Sequence, residues 1–443
     1  MACDMEEWVQ YARLHPEETL KSALQCTLAV QRSPLNFNHT FHGTIISGCT
    51  RVLHVPKLFD AKDREVFEKA SAVFYEIFER IIDAFQSDME VRRLFRFRPI
   101  LNYLAMRKEP GWKIPILRID IFYNEKTGDF KVCEFNTDGS SAMMENDQAA
   151  AIMQENNSLF AHFHPEVKPV HLVDDWIDAL LAQCVKAGID TPSIVITDFF
   201  EKSYYPELVY FEKRMQERGL QAKLVDIRDL EYENGKLKDP ASGMEFNTVY
   251  RRAVTKDIIE NSHDIIPFLK AVENQDVFLV GGFQTQIIHS KSINTALESP
   301  VLQKYLTKEQ LDFLRKHMPK TLDLTYANAD RIKKEKDFWV IKPKEGYASK
   351  GVWAGVGVDQ NLWNRLVNDA KDMGYIAQEY IPHYRTENID PVHEQSPSSY
   401  ANMSGLYVFN GKFAGVYSRL SQDAIISTQY NERMTPSFFL QGE

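Results

Sequence analysis

Between residues 117 and 136 the chain alternates in a way that suits a β-hairpin with one chemically active face. Leu117-Arg118-Ile119-Asp120-Ile121 sets apolar side chains against Arg118 and Asp120 at a period of two. Asn124–Asp129 supplies a turn with Gly128 near its end, and Phe130–Asn136 forms the returning strand. With an even register, Arg118, Asp120, Glu134 and Asn136 fall on one face. Two carboxylates and an amide oxygen suit magnesium, a hard ion that wants oxygen ligands and usually keeps phosphate oxygens in its shell. Arg118 adds a planar fork suited to a phosphate. The same four residues also suit a solvent-facing hairpin laced by an Arg–Asp–Glu ion pair, a common and weak arrangement. The residues alone leave both readings open.

A second constraint lies at Phe338-Trp339-Val340-Ile341-Lys342-Pro343, where an apolar strand ends in a lysine. Such a lysine must reach solvent or meet a buried anion. In the loop that follows, Gly346, Ala348, Ser349 and Gly351 are small enough for backbone N–H groups to approach phosphates. The Gly346–Gly351 spacing is half of a P-loop, but Val352 stands where its lysine belongs, so this is no Walker sequence.

Elsewhere the pattern from residue 191 is α/β, with strands at 193–197, 222–226 and 277–281, a helix at 204–218, and a hairpin turning at Asn234-Gly235. Residues 375–380 read as another strand. Asn410-Gly411 centres the strongest hairpin signal. On its return strand Phe413, Gly415, Tyr417 and Arg419 share a face, with Gly415 leaving room for a ligand or a backbone. Arg419 itself reads either as a phosphate or carboxylate contact, or as an edge arginine paired with Asp423 or Glu432. Residues 1–100 read mostly as helix, with Val66, Ala70, Val73, Phe74, Ile77 and Ile81 at helical spacing. Ser396–Ser399 reads as a loop.

Composition narrows the function classes. A net charge of −10 over 443 residues argues against a nucleic-acid partner. No apolar run approaches membrane-spanning length, and the acidic N-terminal stretch lacks a signal peptide's apolar core. The five cysteines include no C-x-x-C pair, so the expected location is the reducing cytoplasm. There is no H-E-x-x-H or G-x-S-x-G sequence. His162 and His164 stand without partners at zinc-site spacing.

The order of these pieces resembles the glutathionylspermidine synthase family. The segments that carry the resemblance are "LRIDIFYNEKTGDFKVCEFNTDGSSA", "HSKSINTAL", "FWVIKPKEGYASKG", "YIAQEYIP" and "GLYVFNGKFAGVYSRLSQDAIIS", which run from about residue 115 to the C-terminus. The resemblance implies a mixed α+β and α/β chain: a circularly permuted ATP-grasp fold, a Rossmann-like pre-ATP-grasp domain and a helical N-terminal region. The implied divisions are 1–110 (helical), 111–170 (first ATP-grasp part, with the metal hairpin), 171–275 (α/β domain) and 276–443 (remainder of the ATP-grasp domain).

By position, the resemblance makes Asp120, Glu134 and Asn136 the magnesium ligands. Arg118 becomes the contact for the γ-phosphate and acyl phosphate, and Arg419 the contact for the acid substrate. Lys291 and Lys342 hold ATP phosphates, Gly346, Ser349 and Gly351 form the loop over them, and Gln378 and Glu379 form the adenine hinge. Ser140 and Ser141 grip the acid. The chain departs from the family in its glycine loop, where Lys344 and Lys350 stand in place of an arginine between the glycines, and in lacking an amidase segment ahead of the hairpin. The activity implied is a stand-alone, ATP- and magnesium-dependent ligase that joins a small peptide-like acid to an amine through an acyl phosphate. The rival readings are a phosphotransferase on the same scaffold and a non-catalytic nucleotide-binding protein.

Overall fold

The computed structural model describes residues 5–346, 349–390, 393–394, 396–426 and 431–441; Tyr347 and Ala348 of the glycine loop lie outside these. The expected hairpin is formed by β1 (Ile116–Tyr123) and β2 (Phe130–Asn136), with Arg118 opposite Asn136 and Asp120 opposite Glu134. The register then shifts so that Ile121 pairs with Val132, which leaves Cys133 as the extra residue of a bulge. The hairpin belongs to a six-stranded antiparallel sheet with β3 (Arg385–Asn388), β4 (Ser398–Phe409), β5 (Lys412–Ser421) and β6 (Arg433–Thr435). The strand order is β6-β5-β4-β1-β2, with β3 also paired to β4.

Residues directly opposite in a ladder share a face. Gly405 is opposite both Asp120 and Tyr417, Tyr407 is opposite Arg118, and Met403 is opposite Arg419. One face of the sheet is therefore polar from β2 across to β5. The other face is apolar and lies under the helix Ala61–Ser87. That helix starts in a capping box between Asp60 and Asp63 and buries Phe67, Ala70, Phe74, Ile77 and Ile81. Phe74 and Phe78 pack on Phe135 of β2 with centroids 5.2 and 4.6 Å away.

The helical expectation for residues 1–100 holds at 5–31 and 61–105 and fails between them. Asn36–Phe41 and Thr44–Cys49 form an antiparallel hairpin. Its two-residue turn, His42-Gly43, has both φ values positive (47° and 81°). The period-two placement of Phe37, His39 and Phe41 puts their rings on one side, against Phe200, Tyr204 and Tyr205. Ser398 and Ser399, expected in a loop, begin β4 because β3 pairs with them.

Two further sheets flank the central one. Phe278–Val280, Thr248–Arg251, Ser193–Asp198 and Gln221–Asp226 lie side by side in that order, all parallel. The helix Tyr205–Glu217 makes the crossover that a parallel pair requires. The other sheet is antiparallel: Thr321–Asp323, Tyr375–Glu379, Trp339–Pro343 and Trp353–Ala354. Trp339, Ile341 and Ala377 pack beneath the helices Tyr326–Lys334 and Gln360–Ala370, with Ile332, Trp363 and Val367. Alternation sends Val340 and Lys342 to the opposite side, with Gln378 opposite Val340. No described helix is long and apolar enough to cross a membrane.

Gly415 does leave room, but the room is taken by the protein itself. A Cβ there would stand 2.2 Å from Val170 Cγ1 and 3.2 Å from Leu172 Cδ2, where the chain enters the helix Leu172–Lys186. The space over Gly415 is thus filled by the chain's own side chains. Gly415→Val is therefore expected to overpack the core and cost about 1–3 kcal/mol, read as a lower urea midpoint at unchanged slope. An unchanged midpoint would mean that the chain at Val170 yields freely.

Candidate active site

The centre of the polar face is the Asp120 carboxylate, which is 0% exposed. Arg118 grips it with both arms of its fork, Nε donating to Oδ1 at 2.9 Å and Nη2 to Oδ2 at 3.1 Å. Asn136 Nδ2 donates to Oδ2 at 3.0 Å, and Arg419 Nη2 does so at 2.5 Å. Arg419 stands on β5 and Asp120 on β1, so their contact spans the whole of β4. Gly405 makes this possible: a Cβ there would meet Asp120 Oδ1 at 2.9 Å and Arg118 Cδ at 3.0 Å. A glycine within a strand signals close approach of this kind, and that is the one signal of this site residue in the sequence.

The solvent-facing ion-pair reading of the hairpin does not describe these residues. Arg118, Asp120 and Arg419 are all buried. Arg419 lies on an inner strand and also approaches Glu432, at 3.6 Å. Its Nε has no acceptor among the described residues. Arg118 additionally donates to the Ser141 carbonyl at 3.0 Å, which also accepts from the Tyr407 hydroxyl. Ser141 thus contributes its backbone oxygen to the arginine. Ser140 turns away: its hydroxyl donates to the Asn136 carbonyl at 3.0 Å, and it lines a small enclosed cavity beside Tyr250, Arg251 and Arg252.

Both lysines act on Glu134. Lys291 Nζ lies 3.5 Å from Glu134 Oε2 and donates to the Gly346 carbonyl at 2.9 Å. Lys342 Nζ donates to Gln378 Oε1 at 2.8 Å and to the Cys133 carbonyl at 3.3 Å. Burial works to raise the Glu134 carboxyl, but Lys291, Lys342, Arg419 and Arg118 outweigh it and hold it at about 2. Glu134 is therefore ionised throughout the neutral range. The cations around it exceed the charge it can match.

These groups face a cleft of about 750 Å³, its open mouth included. Phe122, Val340, Ile381, Met403 and Ile426 give it apolar walls, Gln378, Glu379 and Tyr380 form one side, and Lys291, Lys342 and Arg419 stand against Glu134. Gly346, Ser349 and Lys350 line the loop side. Gly351 sits behind them with φ 74°, where a Cβ would stand 2.8 Å from the Tyr375 hydroxyl. Lys344 points out of the cleft into an ion pair with Asp323 at 2.8 Å.

The donor set fits a nucleotide: an apolar slot for a base and two buried ammonium groups at one end for phosphates. For magnesium the fit is selective. Glu134 offers an ionised carboxylate beside the cleft, and one carboxylate with phosphate oxygens is a common magnesium shell. Both oxygens of Asp120 are already engaged by guanidinium and amide donors, and Asn136 turns its NH2 toward Asp120. Among the described residues no three His, Cys, Asp or Glu side chains are grouped to hold a metal. In this arrangement Asp120, expected from the sequence to be a metal ligand, anchors two arginines.

No family model and no curated protein matches the chain in sequence. In structure it is similar to a glutathione synthetase-like effector from Globodera pallida in its apo form, with a TM-score of 0.65 at 10% identity, over 96% of this chain and 98% of that one. It is also similar to a candidate gamma-glutamylcysteine synthetase from Methylobacillus flagellatus KT, with a TM-score of 0.42 at 10% identity, over 84% and 85% of the two chains. A third match is D-alanyl-alanine synthetase A from Vibrio cholerae O1 biovar eltor, with a TM-score of 0.31 at 11% identity, over 53% and 69%. The first likeness spans nearly the whole of both chains and establishes a shared fold. The two looser ones carry no argument.

The anchor role of Asp120 has a measurable consequence. Asp120→Asn would leave two buried guanidinium groups short of their shared counter-charge, a loss of about 3–5 kcal/mol. Urea denaturation of that variant should show this drop without any ligand present. Wild-type stability would mean that the arginines are satisfied elsewhere.

Proposed function

We propose that the protein is an ATP-dependent carboxylate–amine ligase of the ATP-grasp class, circularly permuted, working through an acyl phosphate. The observation that carries this reading is the convergence of Lys291, Lys342 and Arg419 on Glu134 at one end of an apolar cleft. A mixed α/β chain sharing its fold with a glutathione synthetase-like protein supports the same class.

An amide cannot form from a carboxylate at neutral pH without a better leaving group than hydroxide. Phosphorylation by ATP supplies one, and the amine then displaces phosphate. In the proposed roles, Lys342 and Lys291 hold the nucleotide phosphates, and Gln378 and Glu379 border the base. Glu134, with the amide oxygen of Asn136 once that side chain turns, would hold magnesium, which adds charge neutralisation on the phosphates. Arg118 and Arg419, fixed by Asp120, present donors to the acid's carboxylate and to the phosphoryl group as it transfers. Phosphoryl transfer is mostly positioning and charge stabilisation, so preorganised cations are the main contribution asked of the protein. A charge contact near 4 Å is worth roughly 4 kcal/mol at a surface-like dielectric, more than any neutral hydrogen bond in the site. The described ends of the 344–351 loop flank the cleft, and closure there would keep water from the acyl phosphate.

Two variants test the assignment. Lys342→Ala should lose nucleotide affinity and slow turnover on the order of 100-fold, because a preorganised charge contact is removed; unchanged ATP binding by calorimetry would reduce Lys342 to a strand-end residue. Arg419→Lys keeps the charge but loses the fork that reaches Asp120. It should bind ATP as the wild type does, while amine-dependent ADP release falls sharply. ADP release that never depends on an amine would favour a phosphotransferase instead.

A further inference from the structure

A second cleft, of about 1220 Å³ with its open mouth included, adjoins the first. Pro343 lines both, Gly346 lines only the first, and Lys344 and Glu345 line only the second, so the 343–346 segment is the partition between them. Gln286 and Ser292 lie in the second cleft's floor, and Phe97, Leu101, Ile259 and Met373 are among its apolar walls.

The floor is short of donors. Glu345 Oε2 accepts from Gln286 Nε2 at 2.8 Å, and its Oε1 accepts from the Ser290 hydroxyl at 2.5 Å. A carboxylate only accepts, so the Gln286 amide must turn its NH2 toward Glu345 and leave Oε1 as an acceptor. That Oε1 and the Ser292 hydroxyl both lack partners among the described residues. Gln286 is 3% exposed and Ser292 1%. Buried polar atoms are normally paired, and these two orphans belong to residues that line one cleft. Among the described residues the side chains that donate to Glu345 are neutral, and the neighbouring Lys344 ammonium is held by Asp323 at 2.8 Å. One carboxylate and two spare oxygens match the three donors of an ammonium group.

We propose that this second cleft binds a primary amine, its ammonium held by Glu345, Gln286 Oε1 and Ser292 Oγ and its apolar body lying along Phe97, Leu101, Ile259 and Met373. As the amine-substrate site, it rests on the ligase reading. Its position suits that role, since Ser290 and Ser292 flank Lys291, whose ammonium is 3.5 Å from Glu134 at the phosphate end of the first cleft. The amine would thus enter on the opposite side of the Pro343–Gly346 segment from the nucleotide.

Calorimetric titration of the full chain with 2-phenylethylamine, and with 2-phenylethanol as the same body without the charge, tests the site. The amine should bind, and the alcohol should bind about tenfold more weakly or worse. Gln286→Leu and Ser292→Ala should each weaken amine binding about tenfold, the loss of one hydrogen bond to a charged group. Ser292→Ala removes only an unpartnered hydroxyl, so it keeps the test decisive if Gln286→Leu disturbs Glu345. Equal binding of the alcohol, or an unchanged affinity in Ser292→Ala, overturns the proposal. A parallel titration of the wild type with Mg-ATP separates the two readings. Nucleotide binding without amine binding removes the amine site and leaves the ligase. Serine-dependent amine binding without nucleotide binding does the reverse.

Discussion

The arrangement of the site depends on one buried carboxylate. Asp120 accepts four hydrogen bonds from three side chains that come from three different strands. Two guanidinium groups in a dry sheet face would repel each other and resist burial. Sharing Asp120 fixes them at a set distance and angle. Gly405 is part of the same device, because any side chain there would stand between β5 and β1.

Charge is graded along the polar face. At the β2 end, Lys291 and Lys342 flank Glu134 beside an apolar cleft. In the middle, Arg118 and Arg419 are balanced on Asp120. Past β5 the balance turns acidic: Glu432 lies 3.6 Å from Arg419, and the Tyr417 hydroxyl stands 3.2 Å from both Glu432 and Glu145. Burial pushes the Glu145 carboxyl up to about 7, with the neighbouring Glu432 and Glu207 charges adding to it and the Thr50 and Tyr417 hydroxyls opposing it. An anion is therefore drawn toward the β2 end of the face and away from the β6 end.

Local pattern made much of this legible. The period-two alternation at 117–121 and the turn at 124–129 specify a hairpin and its polar face, because a one-residue slip would bury Arg118 and Asp120 against the helix Ala61–Ser87. Asn410-Gly411 likewise specifies its hairpin. The His42-Gly43 hairpin was misread as helix, since its short strands are only half-buried and their apolar residues recur too few times to set a period. Gly415 reads as room for a ligand or a backbone, and a strand position does not reveal what packs above it; the occupant, the Val170 side chain, is 245 positions earlier in the chain.

By itself, then, the sequence determined which residue types share a strand face, where the chain turns, and that a lysine ends an apolar strand. Those properties follow from side-chain alternation and turn stereochemistry, which act over a few residues. Only the tertiary structure decided which charges meet. Whether Asp120 holds a metal or two arginines depends on Arg419, brought from 299 positions away across an intervening strand. Whether Lys344 serves the cleft or leaves it depends on Asp323. Whether the Gln286 NH2 finds an acceptor depends on Glu345, 59 positions further along the chain in the wall of the same cleft. Electrostatic partners are set by distance in space, and distance in space between remote segments is fixed only when the sheets and helices pack.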